Sequence, residues 1–154
     1  MHGSKDHNMH YMHFAVMLAL SFLFMFGFMY AMVDRLANVY PNINQAYMAG
    51  LMVAPMAILE LVFMGAMYPD KKLNWGIIGL SVVLLFGCWV GIRSQVAVND
   101  RSFLRSMIPH HAGAILMCQQ ASLQDAEIKK LCGEIIDSQT KEIAQMKEIL
   151  ARNR

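Results

Sequence analysis

The chain has 154 residues, of which 56% are hydrophobic and 16% are charged. Soluble domains usually carry about 25% charged residues, so this composition predicts a membrane protein. The formal net charge of +2 provides no basic field of the kind that binds nucleic acid, and we exclude nucleic acid as a partner.

Histidine and methionine are concentrated at the start of the chain, in a leader over residues 1–13. In chain order the leader contains His2, His7, Met9, His10, Met12 and His13. Short His-rich tracts bind metals through composition rather than fixed geometry, and the interleaved methionines argue against an expression tag. The leader is therefore either a metal-capture segment or an extension with no metal role.

Three runs with almost no charge follow, and each is long enough to cross a bilayer as a helix, which takes about 20 residues. They lie at about residues 11–33, 46–68 and 73–92, within a membrane domain that we assign to residues 14–93. The first run is too long for a signal-peptide core and is not followed by a small-residue cleavage site. We therefore expect three transmembrane helices, the first of which stays attached.

Basic residues beside the spans give a weak indication of sidedness. Lys71 and Lys72 lie in the short loop between the second and third spans, whereas Arg35 and Arg93 lie on the opposite side. The positive-inside rule favours a cytoplasmic location for the short loop. Since three spans put the chain ends on opposite sides, we expect the leader to be cytoplasmic and the C-terminal part to be extracytoplasmic.

Methionines recur at four-residue intervals in the second span. One broad helix face contains Met48, Met52, Met56, Glu60 and Met64. A carboxylate in a span is by default a functional hypothesis, so this Met/Glu60 face could line a copper path across the membrane. The alternative, which we favour, is that the methionines pack against lipid and protein while Glu60 is protonated or bonded to a nearby Tyr or Ser.

Residues 94–154 carry most of the charge and form a water-facing domain. Apolar residues recur every three to four positions from Phe103 to Cys118 and again from Ile128 to Leu150, which predicts two amphipathic helices. Such a hairpin cannot cover both of its apolar faces, and a second copy would complete a four-helix bundle. The predicted fold is all-α: three transmembrane helices followed by a helical hairpin that forms a homodimer.

The sharpest motif in the hairpin is Met107-Ile-Pro-His110-His111, which is followed by Met117. Met107 lies three and four residues before His110 and His111, and His110 lies two turns before Met117, so soft ligands follow one side of the first helix. The two adjacent histidines point about 100° apart and are not expected to serve one ion in the same way. Imidazole and thioether together are the ligands expected for copper, especially Cu(I). The alternative is that the two histidines are ordinary helix residues and the methionines fill the core.

Two longer patterns carry a family resemblance. The first is Asp100-x-x-Phe103-x-x-x-Met107-Ile-Pro-His110-His111-x-x-Ala114-Ile115-x-Met117, and the second is Ile135-Ile136-x-x-Gln139-x-x-Glu142-Ile143-x-x-Met146. They resemble a ferritin-like family catalogued as a domain of unknown function, whose members include periplasmic copper-binding and copper-resistance proteins. The resemblance covers about the last 55 residues of the chain.

The resemblance implies a helical bundle that holds copper through methionine and histidine. The matching positions are Met107, His110, His111, Met117 and Met146. It also implies an extracytoplasmic hairpin. Cys118 and Cys132 depart from the family pattern, in which small residues are expected.

Three further positions have open roles. Cys118 and Cys132 fall about one turn apart across the hairpin and are either thiolate ligands for Cu(I) or buried small residues. A disulfide between them is not expected, because packed helix axes lie about 8 to 10 Å apart. Gln139 either forms a hydrogen bond that orients a metal-binding histidine or is a surface glutamine.

The resulting expectation is a membrane-anchored, non-enzymatic protein of a bacterial cytoplasmic membrane that captures, buffers or hands over copper. The metal ligand candidates are Met107, His110, His111, Met117, Met146 and Cys118. The first alternative is a component of a copper transport path that uses the Met/Glu60 face. A metal-dependent oxidase is disfavoured, because the sequence has no Glu-x-x-His motif of the kind that di-iron bundles use.

Overall fold

The structure is a computed structural model that describes residues 3–152, with side chains described over residues 9–152. Its long helices are α1 (Gly3–Phe28), α2 (Ile43–Phe63), α3 (Lys71–Arg93), α4 (Asp100–Gln120) and α5 (Ala126–Arg152). Two short 3-10 helices, Met29–Met32 and Leu36–Asn38, lie between α1 and α2. The described chain contains no strand, and the prediction of an all-α fold is confirmed.

Three helices are long and apolar enough to cross a membrane: Met9–Met32, Ile43–Phe63 and Lys71–Arg93. The second ends five residues before the predicted boundary at residue 68, because the chain turns at Met64, where the N–H of Met67 donates to the Met64 carbonyl at 2.9 Å. Hydropathy does not reveal such a turn, since its residues are as apolar as the helix before it.

The described chain divides into two compact units. The membrane unit comprises α1 and Ala46–Val96, and the hairpin unit comprises Met29–Gln45 and the chain from Ala97 onward. Residues 29–45 therefore belong with the hairpin, although the sequence analysis placed all of them in the membrane domain. The reason is packing, because Val33 and Tyr40 lie against the hairpin core.

Helices α2 and α3 approach closely within the membrane unit. A Cβ atom added to Gly50 would lie 2.7 Å from Sγ of Cys88. A larger residue at position 50 would force the Cys88 side chain to move, and small residues are common where transmembrane helices pack closely. Cys88 is a free, half-buried cysteine at this contact, in agreement with its interpretation as a small apolar residue.

Side-chain caps fix the start of both hairpin helices. Oδ1 of Asn99 accepts a hydrogen bond from the backbone N–H of Ser102 at 2.9 Å, so Asn99 is the N-cap of α4. Asp100 is the first residue of the helix. Oδ1 of Asp125 accepts from the N–H groups of Glu127 and Ile128 at the start of α5. These bonds satisfy amide donors that have no partner inside the helix.

The buried core of the hairpin unit follows the predicted helical spacing on both helices. Its members are Leu104, Ile108, Ala112, Ile115, Ile143, Met146 and Leu150. Part of the face that was expected to await a second copy is covered by residues 29–45. The large apolar side chains of α4 and α5 that stay exposed are Phe103, Met117, Ile128 and Leu131.

Candidate metal site

Helix α4 presents a row of soft ligands on its accessible side. Met107 is half-buried at the edge of the core, His110 is exposed, and the Met117 side chain is 59% exposed. Residues at this spacing share one face of a helix, and α4 continues through Pro109 without interruption. An ion from solvent can therefore reach the thioether and imidazole groups of this row, which we call the α4 stripe.

His111 lies on the other side of α4, where it is only 9% exposed. Its Nδ1 lies 2.9 Å from the carbonyl oxygen of Met107, and its Nε2 lies 2.7 Å from Oε2 of Glu142 on α5. Both neighbours are acceptors when Glu142 is ionised, so both bonds form only with an imidazolium ring or with a protonated Glu142. In either case Nε2 has no free lone pair to offer a metal.

Glu142 joins α5 to α4 through this bond and was missed as a functional residue. The Ser138 hydroxyl lies 3.0 Å from Oε1 of Glu142 and donates to it, so both carboxylate oxygens have partners. The sequence analysis considered Gln139 either as a residue that orients a histidine or as a surface glutamine. Its Oε1 is buried without a hydrogen-bond partner in the described chain. The signal for Glu142 was present, since it lies one turn beyond Gln139 in the same quoted pattern.

Met146 belongs to the apolar core of the hairpin unit, where it is 9% exposed. It is thus separated by burial from the exposed members of the α4 stripe. Among the described residues, no group of three or more His, Cys, Asp or Glu side chains could hold a metal ion.

Cys118 and Cys132 form a disulfide that connects the end of α4 to the start of α5. The sequence analysis argued against this bond from the average distance between helix axes. The two Cα atoms are only 5.2 Å apart, which lies within the range that disulfides require. The expectation of Cys118 as a thiolate ligand is corrected for this oxidised state, because a disulfide sulfur is not a thiolate.

The leader is not a separate segment in the described chain, because α1 begins at Gly3. Met9, Met12 and His13 are exposed along this helix and His10 is half-buried. His2 lies outside the described residues, and the side chain of His7 lies outside the described side chains. The leader's metal role stays a prediction.

The Met/Glu60 face does not line an enclosed passage in the described spans. Met48, Met52 and Met64 are exposed on the surface of the membrane unit. Glu60 lies near the end of α2, and its Oε1 accepts from the hydroxyl of Tyr68 at 3.0 Å. Burial, aided by this bond, raises the pKa of Tyr68 to about 12, which keeps the hydroxyl protonated as the donor.

Comparison with known proteins gives two results. Residues 92–150 match the model of a family described as Domain of unknown function (DUF305). The chain is also 31% identical over 119 residues to an uncharacterized protein of Acanthamoeba polyphaga mimivirus, and the match covers 76% of each chain. No solved structure matches the chain.

The viral match is longer than the part of the chain that follows residue 93, so the likeness extends into the membrane unit. The DUF305 match by contrast falls almost entirely on α4 and α5. The chain therefore belongs to the same family as the mimivirus protein, and residues 92–150 form its DUF305 domain.

Proposed function

We propose that this protein is a membrane-anchored copper-binding protein that captures, buffers or hands over Cu(I) through its hairpin. The observation that carries the proposal is the α4 stripe, in which Met107, His110 and Met117 lie on one accessible face outside the apolar core. Imidazole combined with thioether suits Cu(I), whereas zinc sites more often use carboxylate or thiolate ligands.

The structure narrows the proposed ligand set. Met107 and His110 are one turn apart and can reach the same ion from one helix. Met117 lies seven residues beyond His110, about 10 Å along the axis, so it belongs to a second position on the stripe. His111 stabilises the hairpin through Glu142 rather than binding the ion, and Met146 fills the core.

A second copy is the proposed source of the remaining ligands. Helix α4 of one copy supplies two ligands, Met107 and His110, whereas soft metals in proteins commonly take three or four. A homodimer through the exposed residues Phe103, Met117, Ile128 and Leu131 would form a ferritin-like four-helix bundle and bring two stripes together.

The proposed location of the hairpin is extracytoplasmic, at a bacterial cytoplasmic membrane. The disulfide supports this side, because disulfides form and persist in oxidising compartments such as the periplasm. The charge count and the family resemblance favour the same side. Lys71 and Lys72, which begin α3, would then lie on the cytoplasmic side.

Competition with a Cu(I) chelator on the purified full chain tests this proposal. The full chain is needed because residues 29–45 complete the hairpin core. The leader histidines are replaced by alanine in every sample, so that only the hairpin contributes. Combining His110→Ala with Met107→Leu removes both proposed ligands of one copy and should weaken Cu(I) binding by tenfold or more. Tenfold corresponds to about 1.4 kcal/mol of binding free energy.

Met146→Leu is the matched control, because it removes a thioether from the buried core and none from the stripe. It should leave Cu(I) affinity unchanged. Equal affinity in the stripe variant and the control would show that the motif is structural, and the copper proposal would then be wrong.

A further inference from the structure

A cavity of about 250 Å³ opens in the hairpin unit. Its polar lining comes from the segment after α1 and from α5, namely Asp34, Arg35, Asn38, Thr140 and Lys147. None of these residues belongs to the candidate copper ligands. The cavity is several times larger than the ~30 Å³ that one water occupies, so it admits a group larger than a single ion.

The carboxylate in the cavity is already satisfied by its neighbours. The Asp34 side chain is 3% exposed, and its Oδ2 lies 2.7 Å from Nε of Arg35. Its Oδ1 accepts from the side-chain amide of Asn38 at 2.5 Å. Because both oxygens are engaged, Asp34 serves to position Arg35 rather than to attract a cation.

The two basic residues keep donors for a ligand. Arg35 uses only Nε on Asp34, so the N–H groups of its two terminal nitrogens are available, and its side chain is 63% exposed. Lys147 donates to the carbonyl of Ala37 at 2.9 Å and to Oδ1 of Asn38 at 2.6 Å, which leaves one of its three N–H groups. A guanidinium fork beside an ammonium suits a phosphate group.

Chain connectivity puts this cavity at the membrane surface. Arg35 lies three residues after the span Met9–Met32, and the next span begins at Ile43. Leu36, between Arg35 and the cavity residue Ala37, is 90% exposed. An exposed leucine directly after an arginine, this close to a span, suits a segment that inserts an apolar side chain among lipid headgroups.

We propose that the cavity binds the phosphate group of an anionic phospholipid, held by Arg35 and Lys147 while Leu36 enters the acyl boundary. Free inorganic phosphate shares this chemistry. The juxtamembrane position and the exposed leucine favour the lipid. The proposal is independent of copper binding, because the two sites share no residue.

Native mass spectrometry of the full chain in detergent tests the proposal with two added lipids, phosphatidylglycerol and phosphatidylcholine. The protein should retain phosphatidylglycerol preferentially. Replacing Arg35 and Lys147 by glutamine should reduce that preference by tenfold or more, as expected for the loss of charge-assisted hydrogen bonds. Lys141→Gln is the matched control, since Lys141 is an exposed lysine of the same helix and should change nothing.

Two further measurements keep the result interpretable. Lys147→Arg retains the charge and should retain the lipid preference. The double glutamine variant should keep the helicity of the wild type. Both results together would show that the glutamine variant has lost lipid-binding groups and not its fold. Leu36→Ser should weaken lipid retention without affecting the response to inorganic phosphate. Equal retention of both lipids, or a preference that survives in the double glutamine variant, would overturn the proposal. Full displacement of phosphatidylglycerol by submillimolar phosphate would assign the cavity to the soluble anion and overturn the lipid assignment.

Discussion

The membrane unit and the hairpin unit both contain rows of methionine, but in different chemical settings. In α2 the methionines Met48 and Met52 are exposed, but the helix contains no histidine or cysteine. Its one carboxylate, Glu60, accepts a hydrogen bond from a tyrosine hydroxyl. In α4 the methionines share a face with an exposed imidazole. A methionine row is therefore informative about metal binding only where a second kind of ligand is accessible beside it.

The two units also differ in how their helices are joined. Contacts between polar or reactive side chains join α4 and α5, through the disulfide and through the bond between His111 and Glu142. The spans α2 and α3 meet at a glycine. We therefore expect some hairpin substitutions to change stability but not copper binding, and others to change copper binding but not stability. Substitutions in the Met/Glu60 face should change neither property.

Removing the disulfide should have the largest effect on stability. A loop of about 15 residues closed by a disulfide stabilises a fold by about 3 kcal/mol, mainly by restricting the unfolded chain. The double variant Cys118→Ser, Cys132→Ser should lower the opening free energy of α4 and α5 by about this amount, as measured by hydrogen exchange of their amides. Copper affinity should change little, since the cysteines lie outside the proposed ligand pair.

Cys88→Ala is the control for the disulfide variant, because Cys88 is the free cysteine of the membrane unit. It should leave exchange in α4 and α5 unchanged. If instead the double serine variant lost copper binding while the hairpin kept its protection, the cysteines would return to the list of ligands.

Replacing His111 should come next in size. His111→Ala removes a buried ring together with its bond to Glu142, which typically costs about 2 kcal/mol. His110→Ala changes an exposed side chain and should alter stability by less than about 0.5 kcal/mol while reducing Cu(I) affinity. Thermal unfolding and chelator competition on the same two samples measure the contrast.

One result would contradict the predicted contrast between the two adjacent histidines. If His111→Ala removed copper binding at unchanged stability, the ion would occupy the place of the Glu142 contact. The ligand on α4 would then be the buried histidine, and the exposed stripe would have no role.

Some of these features were predictable from sequence, and others were not, for physical reasons. Charge-free runs and helical periodicity predicted the three spans and the two hairpin helices. Residues 29–45 carry no periodicity, so nothing in the sequence indicated that Val33 and Tyr40 would complete the hairpin core. The disulfide was missed because an average axis distance was applied near a turn, where the helices converge.

The candidate site was predictable to a similar degree. Spacing alone predicted a row of soft ligands on the first hairpin helix and put the two adjacent histidines about 100° apart. The partner of His111 was not predictable, because folding the hairpin at an assumed turn put Gln139 rather than Glu142 beside it. An error of one helical turn in register is enough to exchange these two residues.

The smallest expected effect concerns Glu60 and tests the membrane unit directly. Glu60→Gln keeps the size of the side chain and an oxygen that can accept from Tyr68, but it removes the ionisable group. If the spans are an anchor, cells carrying this variant should keep the copper tolerance of the wild type, and Met52→Leu should behave in the same way. Proteoliposomes provide the decisive measurement, because an anchor gives no copper movement with either protein. Copper uptake by wild-type vesicles that disappears with Glu60→Gln, at unchanged affinity of the hairpin, would show instead that the Met/Glu60 face conducts the ion.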